Sequence, residues 1–278
     1  MKGIILSPKT LFFGHGIGHH SPMLILRSAL FNLLFYLVLI GLMLAGLPTL
    51  LLGRHAIFWL GRLWSRTSLW LLDEICGMRV EFRGVENIPA GGIIVAAKHQ
   101  SVWETFALLA FFPDFAFILK RELKLIPVFG WYLARADQIA INRSDGRTAL
   151  GQATEGARTL LREGRQVLIF PEGTRRPVGA TPAYKFGVAH IYAECGAPCL
   201  PVALNAGLFW PRRSFLRRPG TVLVEFLAPI APGLGKEEFL AELQARLETA
   251  TNRLVAESMA RDPRLCQAVK PAGSATLA

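Results

Sequence analysis

From Ser28 to Gly53 the chain carries no charged side chain, and Leu, Ile, Val, Phe, Ala and Met make up most of the stretch. About 20 apolar residues suffice for a helix to cross a bilayer, so this run is long enough to do so. It is too long, and begins too far into the chain, for a cleaved signal peptide. Residues 21–53 are therefore expected to form an apolar helix, bent near Gly41, Gly46 and Pro48. Ahead of it, His15 and His19 have the i, i+4 spacing of a helical metal pair. Gly14, Gly16 and Gly18 around them favour a flexible tail over residues 1–20 instead.

Residues 54–76 read differently. On a helical wheel Arg54, Arg62 and Arg66 share one face, while Trp59, Leu63, Trp70, Leu60, Trp64 and Leu71 lie opposite. Tryptophan beside arginine suits the headgroup layer, which makes residues 21–76 a membrane-embedded or interfacial pair of helices. A helix packed on the main domain is the alternative. The formal net charge of +11 points to anionic partners. No DNA-reading basic helix, zinc-finger spacing or RNA-binding aromatic signature accompanies that charge. The expected partner is an anionic bilayer surface and not nucleic acid. Cys76, Cys195, Cys199 and Cys266 show neither a disulfide framework nor metal spacing; Cys195 and Cys199 read as small buried thiols, and the chain is expected to face the cytosol.

From residue 79 onward short apolar runs alternate with helical stretches. Strands are expected at 79–83, 93–97, 115–119, 138–142, 166–170, 199–204 and 221–226, and helices near 102–112, 147–163, 184–195 and 236–260. Several strands are almost wholly apolar, as in a sheet covered on both faces. The alternation gives the α/β class: a largely parallel mixed sheet flanked by helices over residues 77–262. Residues 263–278 are expected to be a disordered tail.

Two of these strands end in residues with chemical potential. The strand Ile93–Ala97 runs into Lys98-His99-Gln100-Ser101-Val102-Trp103-Glu104. Inside one regular helix His99 and Glu104 would point roughly 140° apart. With the strand ending at His99 and a helix beginning after Ser101, the chain folds Glu104 back over His99. That places the imidazole at the carboxyl end of a strand, where open α/β sheets hold their sites. A neutral imidazole can take the proton of an alcohol that attacks a carbonyl. A carboxylate on the other ring nitrogen fixes the tautomer and stabilises the imidazolium. No serine or cysteine nucleophile is needed when the substrate brings its own hydroxyl. The same residues also read as a capping box, with Ser101 at the cap and Glu104 reaching back to its backbone N–H.

The strand at 166–170 ends in Pro171-Glu172-Gly173-Thr174-Arg175-Arg176. The planar fork of Arg175 suits a phosphate, and Glu172 can order that arginine or a glycerol hydroxyl. A surface turn with a Glu172–Arg175 ion pair is the alternative. Between Leu208 and Arg218, aromatic residues interleave with Arg212, Arg213, Arg217 and Arg218. This segment is expected to be a membrane-surface loop or a dock for an acidic carrier protein.

Together these segments resemble the glycerolipid acyltransferase family, whose members include 1-acyl-glycerol-3-phosphate acyltransferases. The first family block is matched by Lys98-His99-Gln100-Ser101-Val102-Trp103-Glu104, with glutamate where aspartate is commoner. The second is matched by Lys120-Arg121-Glu122-Leu123, Ile126-Pro127-Val128-Phe129-Gly130 and Ile139-Ala140-Ile141-Asn142-Arg143. The third, Phe170-Pro171-Glu172-Gly173-Thr174-Arg175, is unchanged, and Leu200-Pro201-Val202-Ala203-Leu204 matches the fourth. The blocks occur in family order over roughly residues 75–230.

The resemblance implies that His99 is the base and Glu104 its orienter. It also implies that Glu172, Gly173, Thr174 and Arg175 contact the acceptor's glycerol phosphate. Arg143 and Lys120 are further phosphate candidates, and Lys185 is read as structural or weakly site-related. The implied reaction moves an acyl chain from acyl-CoA or acyl carrier protein to the sn-2 hydroxyl of lysophosphatidate, giving phosphatidate, with no metal or organic cofactor. It implies an inner or plasma membrane location with the catalytic domain facing the cytosol. Lyso-ornithine lipid and glycerol 3-phosphate are alternative acceptors. A thioesterase and a non-catalytic lipid-binding protein are alternatives of other classes.

Overall fold

The computed structural model describes residues 22–142 and 145–269, so the expected tail over residues 1–20 and the phosphate candidate Arg143 lie outside the described residues. Every expected strand forms within one residue of its expected bounds. The strands are β1 (Met78–Arg83), β2 (Ile93–Ala97), β3 (Phe115–Lys120), β4 (Ile139–Ile141), β5 (Gln166–Ile169), β6 (Cys199–Leu204) and β7 (Gly220–Phe226). They make one sheet in the order β1-β7-β6-β2-β5-β3-β4, parallel at every pairing except β6 with β7. The expected α/β class, a largely parallel mixed sheet flanked by helices, is the one observed.

The helices are α1 (Pro22–Ala45), α2 (Thr49–Leu52), α3 (Arg54–Cys76), α4 (Trp103–Ala107), α5 (Phe129–Arg135), α6 (Arg147–Arg162), α7 (Gly187–Cys195) and α8 (Lys236–Arg261). Successive strand residues point to opposite faces, and β2 shows why its sequence is apolar throughout. Ile93, Val95 and Ala97 pack with residues of α1, α3 and α4, while Ile94 and Ala96 pack with α6, α7 and α8.

The first helix is long and apolar enough to cross a membrane by length and composition. Its 24 residues extend for about 36 Å. Leu24, Ser28, Phe31 and Phe35 form its buried stripe, whereas Leu26, Leu33, Leu37, Ile40 and Leu44 are exposed. The chain turns at Gly46–Pro48, two of the three expected positions, while Gly41 lies inside α1. A Cβ on Gly46 would stand 2.7 Å from the Leu42 carbonyl oxygen and 2.3 Å from Leu60 Cδ2, so the turn into α3 requires glycine there.

In α3 the wheel face bearing Leu60 and Leu71 packs inward, together with Ile57, Phe58 and Leu72. Arg54 pairs with Asp114 at 3.2 Å and Arg62 donates to the Pro113 carbonyl at 3.1 Å. The helix is thus packed on the domain through both its apolar face and two of its arginines, leaving Trp59 and Trp70 exposed.

Two further expectations are corrected. Pro263–Ala268, placed in a disordered tail, form a 3₁₀ helix with Leu265 buried. The four arginines of the 208–218 loop do not share one surface, because Arg217 is buried. Its guanidinium stacks on Trp210 at 3.6 Å and donates to Asn32 Oδ1 at 2.7 Å and to the carbonyls of Ser214 and Phe215 at 2.9 and 2.7 Å. Burial lowers its pKa to about 10, still charged at neutral pH. Arg217 therefore ties this loop to α1, while Arg212 and Arg213 remain exposed. Arg217→Ala would strand the loop carbonyls and Asn32 without a donor, and is expected to cost about 1–3 kcal/mol in denaturant unfolding. Arg213→Ala should leave the unfolding midpoint unchanged.

Candidate active site

Strands β2 and β5 are neighbours and run parallel, with Ala96 opposite Ile169. Their carboxyl ends therefore release the His99 turn and the Phe170–Arg176 turn at the same edge of the sheet. The second turn grips the first through its backbone. Glu172 Oε2 accepts from the His99 N–H at 2.9 Å, and the Arg176 N–H donates to the His99 carbonyl at 2.8 Å. The His99 ring stacks on Phe170, with centroids 4.0 Å apart and planes 14° from parallel.

Glu104 stands in the first turn of α4, fully buried, with Oε1 2.9 Å from His99 Nδ1. The same oxygen accepts from the backbone N–H groups of Gln100 and Ser101, each at 2.7 Å. An ionised carboxylate only accepts, so in the neutral ring Nδ1 carries the proton and Nε2 presents a bare lone pair. Among the described residues Nε2 has no partner. Glutamate's extra methylene lets one oxygen collect all three donors from a helix that begins only at Trp103. Ser101 Oγ meanwhile accepts from the Trp103 N–H at 3.2 Å. The cap of α4 is Val102 and not Ser101, but Glu104 still reaches back to the Ser101 N–H with the same oxygen that orients His99.

Glu172 takes a different place from the one expected. Both its oxygens are occupied, Oε1 by Lys98 Nζ at 2.8 Å and Oε2 by the His99 N–H, and the side chain is buried. It neither pairs with Arg175 nor opens toward an acceptor; it holds the histidine turn. Gly173, at φ +66°, makes the tight turn that points Glu172 inward. Thr174 is exposed and Arg175 half-buried, and the Arg175 carbonyl accepts from Arg212 Nη1 at 3.0 Å. Lys120 ends β3, exposed and paired with Glu122 at 3.2 Å.

A cavity of about 440 Å³ lies between the α1–α3 hairpin and β3 with α5. His99 and Lys120 line it at one end, Phe115 and Ala136 at the other, so it follows β3 for about 17 Å. Its walls are otherwise nearly all apolar, with Leu42 and Leu60 from the hairpin facing Phe117 and Leu133. A base that opens onto such a cavity can activate a hydroxyl against the carbonyl of an acyl chain held in it.

Several residues of the site escaped the sequence reading. Lys98 gave a signal, being a charge that continues an all-buried strand. Gln100 stood in the first family block with no role attached; its Oε1 accepts from the Gly207 N–H at 3.0 Å. Glu248 gave no signal, since it meets Lys98 across 150 residues of chain.

The Acyltransferase family model matches residues 79–205, which contain both turns. The chain is 41% identical over 198 residues to a 1-acyl-sn-glycerol-3-phosphate acyltransferase of Pseudomonas aeruginosa, covering 70% of this chain and 76% of that protein. It is 28% identical over 221 residues to the Saccharomyces cerevisiae protein of the same name, covering 73% and 72% of the two chains. The crystal structure of the 1-acyl-sn-glycerophosphate acyltransferase PlsC from Thermotoga maritima superposes with a TM-score of 0.67 at 25% identity, over 82% of this chain and 97% of that one. Likeness of this degree, on top of the paired His99 and Glu104, places the chain in the acyltransferase family, among the 1-acyl-sn-glycerol-3-phosphate acyltransferases.

Proposed function

We propose that this acyltransferase moves an acyl chain from acyl-CoA or acyl carrier protein to the sn-2 hydroxyl of lysophosphatidate, forming phosphatidate for phospholipid synthesis. The observation that carries the reading is His99, held by Glu104 through Nδ1 while its side of the turn lines the apolar cavity. The acceptor hydroxyl gives its proton to Nε2 as its oxygen attacks the thioester carbonyl. A C–O bond forms, the C–S bond breaks, and the imidazolium returns the proton to the leaving thiolate. Glu104 stabilises the imidazolium between these steps. Arg175, with Arg143 and Lys120 as further candidates, binds the acceptor phosphate. Gly173 shapes the turn and Thr174 lies next to Arg175. The cavity takes the acyl chain. With α1 in the bilayer and both donors in the cytosol, the domain faces the cytosol on an anionic inner or plasma membrane.

Purified protein assayed with a panel of lysolipids and both donors tests this. Transfer to lysophosphatidate should exceed transfer to lyso-ornithine lipid or glycerol 3-phosphate, and thioester loss without acceptor should be slow. His99→Ala should lower kcat/KM at least ~10²-fold with the fold intact, and near-normal turnover would sink the mechanism. Glu104→Gln keeps an acceptor oxygen but removes the charge that stabilises the imidazolium, so kcat should fall at least ~10²-fold. Glu104→Asp keeps the charge and should lose less. Gly61 lines the cavity, and a Cβ there would find its nearest neighbour at 3.9 Å. Gly61→Leu should therefore fill cavity space, lowering kcat/KM for long-chain donors about 10-fold more than for short-chain ones.

A further inference from the structure

Lys98 lies one residue before His99 and points to the opposite face of the sheet, toward α8. Its Nζ donates to Glu172 Oε1 at 2.8 Å and to Glu248 Oε1 at 2.7 Å, and sits 5.5 Å from the centroid of the Tyr184 ring. The Tyr184 hydroxyl donates to the same Glu248 oxygen at 2.8 Å. Burial, with the Glu248 charge beside it, pushes that hydroxyl well above the ordinary tyrosine range, so it remains a donor. Side-chain exposures of 7% for Lys98, 1% for Glu172 and 19% for Glu248 show how little water reaches the cluster. Charges removed from water in this way persist only when paired, and losing one partner leaves the others uncompensated.

Glu172 is the link between this cluster and the base. One of its oxygens is fixed by Lys98 and the other holds the His99 backbone N–H. The Lys98 N–H is itself anchored on the Val202 carbonyl at 3.0 Å. A continuous run of contacts thus leads from α8 through Glu248, Lys98 and Glu172 to the histidine turn. α8 lies beyond the residues 79–205 matched by the family model.

We propose that Lys98 and Glu248 are positioning residues for acyl transfer: acting through Glu172 from the far face of the sheet, they fix the His99 turn so that Nε2 stands at the cavity while Nδ1 keeps Glu104. The proposal rests on His99 being the base. Neither residue touches substrate, so the loss on removing either falls on kcat and not on KM.

Lys98→Met leaves two buried carboxylates facing each other with no cation between them. A misplacement of the base by about 1 Å is worth on the order of 10²-fold, and kcat should fall by about that much. KM for lysophosphatidate and for the donor should stay within about 3-fold. Glu248→Gln keeps the Lys98–Glu172 pair and should lower kcat about 10-fold; as the milder change it is also the variant to use if Lys98→Met does not fold. Combining the two should restore part of the kcat lost in Lys98→Met, because one of the opposed charges is gone. In a His99→Ala background, Lys98→Met should cost nothing further.

Amide hydrogen exchange over residues 97–104 reads the turn without any substrate and should be faster in both single variants. Wild-type kcat together with unchanged exchange in both variants would overturn the proposal, as would a loss confined to KM. Faster exchange in the variants of a protein that fails to acylate lysophosphatidate would overturn the proposed reaction while leaving the positioning role standing.

Discussion

The site depends on β2 and β5 being parallel neighbours. Antiparallel pairing would send their carboxyl ends to opposite edges, and the His99 turn would never meet Phe170–Arg176. Parallel pairing demands a crossover covering one face, and helices on both faces demand strands that are apolar on both sides. The all-buried β2 is the sequence trace of that demand. Once the two ends lie side by side, the polar backbone of each turn needs partners, since few water molecules reach them. Each turn supplies the other's. His99 has its N–H taken by Glu172 and its carbonyl by Arg176 N–H.

Buried carboxylates do most of this work because each can accept several hydrogen bonds while keeping one charge. Glu104 collects two backbone N–H groups and the imidazole on a single oxygen, so the group that begins α4 also selects the tautomer. A helix cap and a catalytic orienter make the same geometric request here, namely an acceptor folded back over the preceding turn. Glu172 follows the same logic with a lysine in place of an imidazole. The cost of burying it is offset by Lys98, whose own burial is in turn offset by Glu248 and the Tyr184 ring.

What the sequence revealed follows from how local each cause is. The strands were legible because burial on both faces makes a short run uniformly apolar, and the His99–Glu104 contact because it spans one turn. Glu172 was misread because its partner is set by the β2–β5 pairing, which no local pattern encodes. Beside Arg175 it suggested an ion pair, yet Gly173 turns it inward to Lys98. Arg217 was misread for a related reason. A charge in a basic loop looks solvated until Trp210 and Asn32 are known to close over it. α5 was missed because seven residues after Val128, itself at φ +63°, give too little periodicity to register.

The apolar hairpin of α1 and α3 forms one wall of the cavity whose other wall is the sheet. A cavity between two bodies keeps its shape only if they are tied at both ends. Near His99 the tie is apolar, with Trp64 against Phe106 of α4. At the far end it is ionic. Asp114, just ahead of β3, pairs with Arg54 at the start of α3 at 3.2 Å and with the buried Arg165 at 2.9 Å. Arg165 also donates to the Ala136 carbonyl at 3.1 Å, beside the cavity's last wall residue. The N-terminal helices and the sheet therefore meet in one wall that both must hold in place. A change at Asp114 would therefore reach His99 through the shape of the cavity they both border, although no contact joins the two residues.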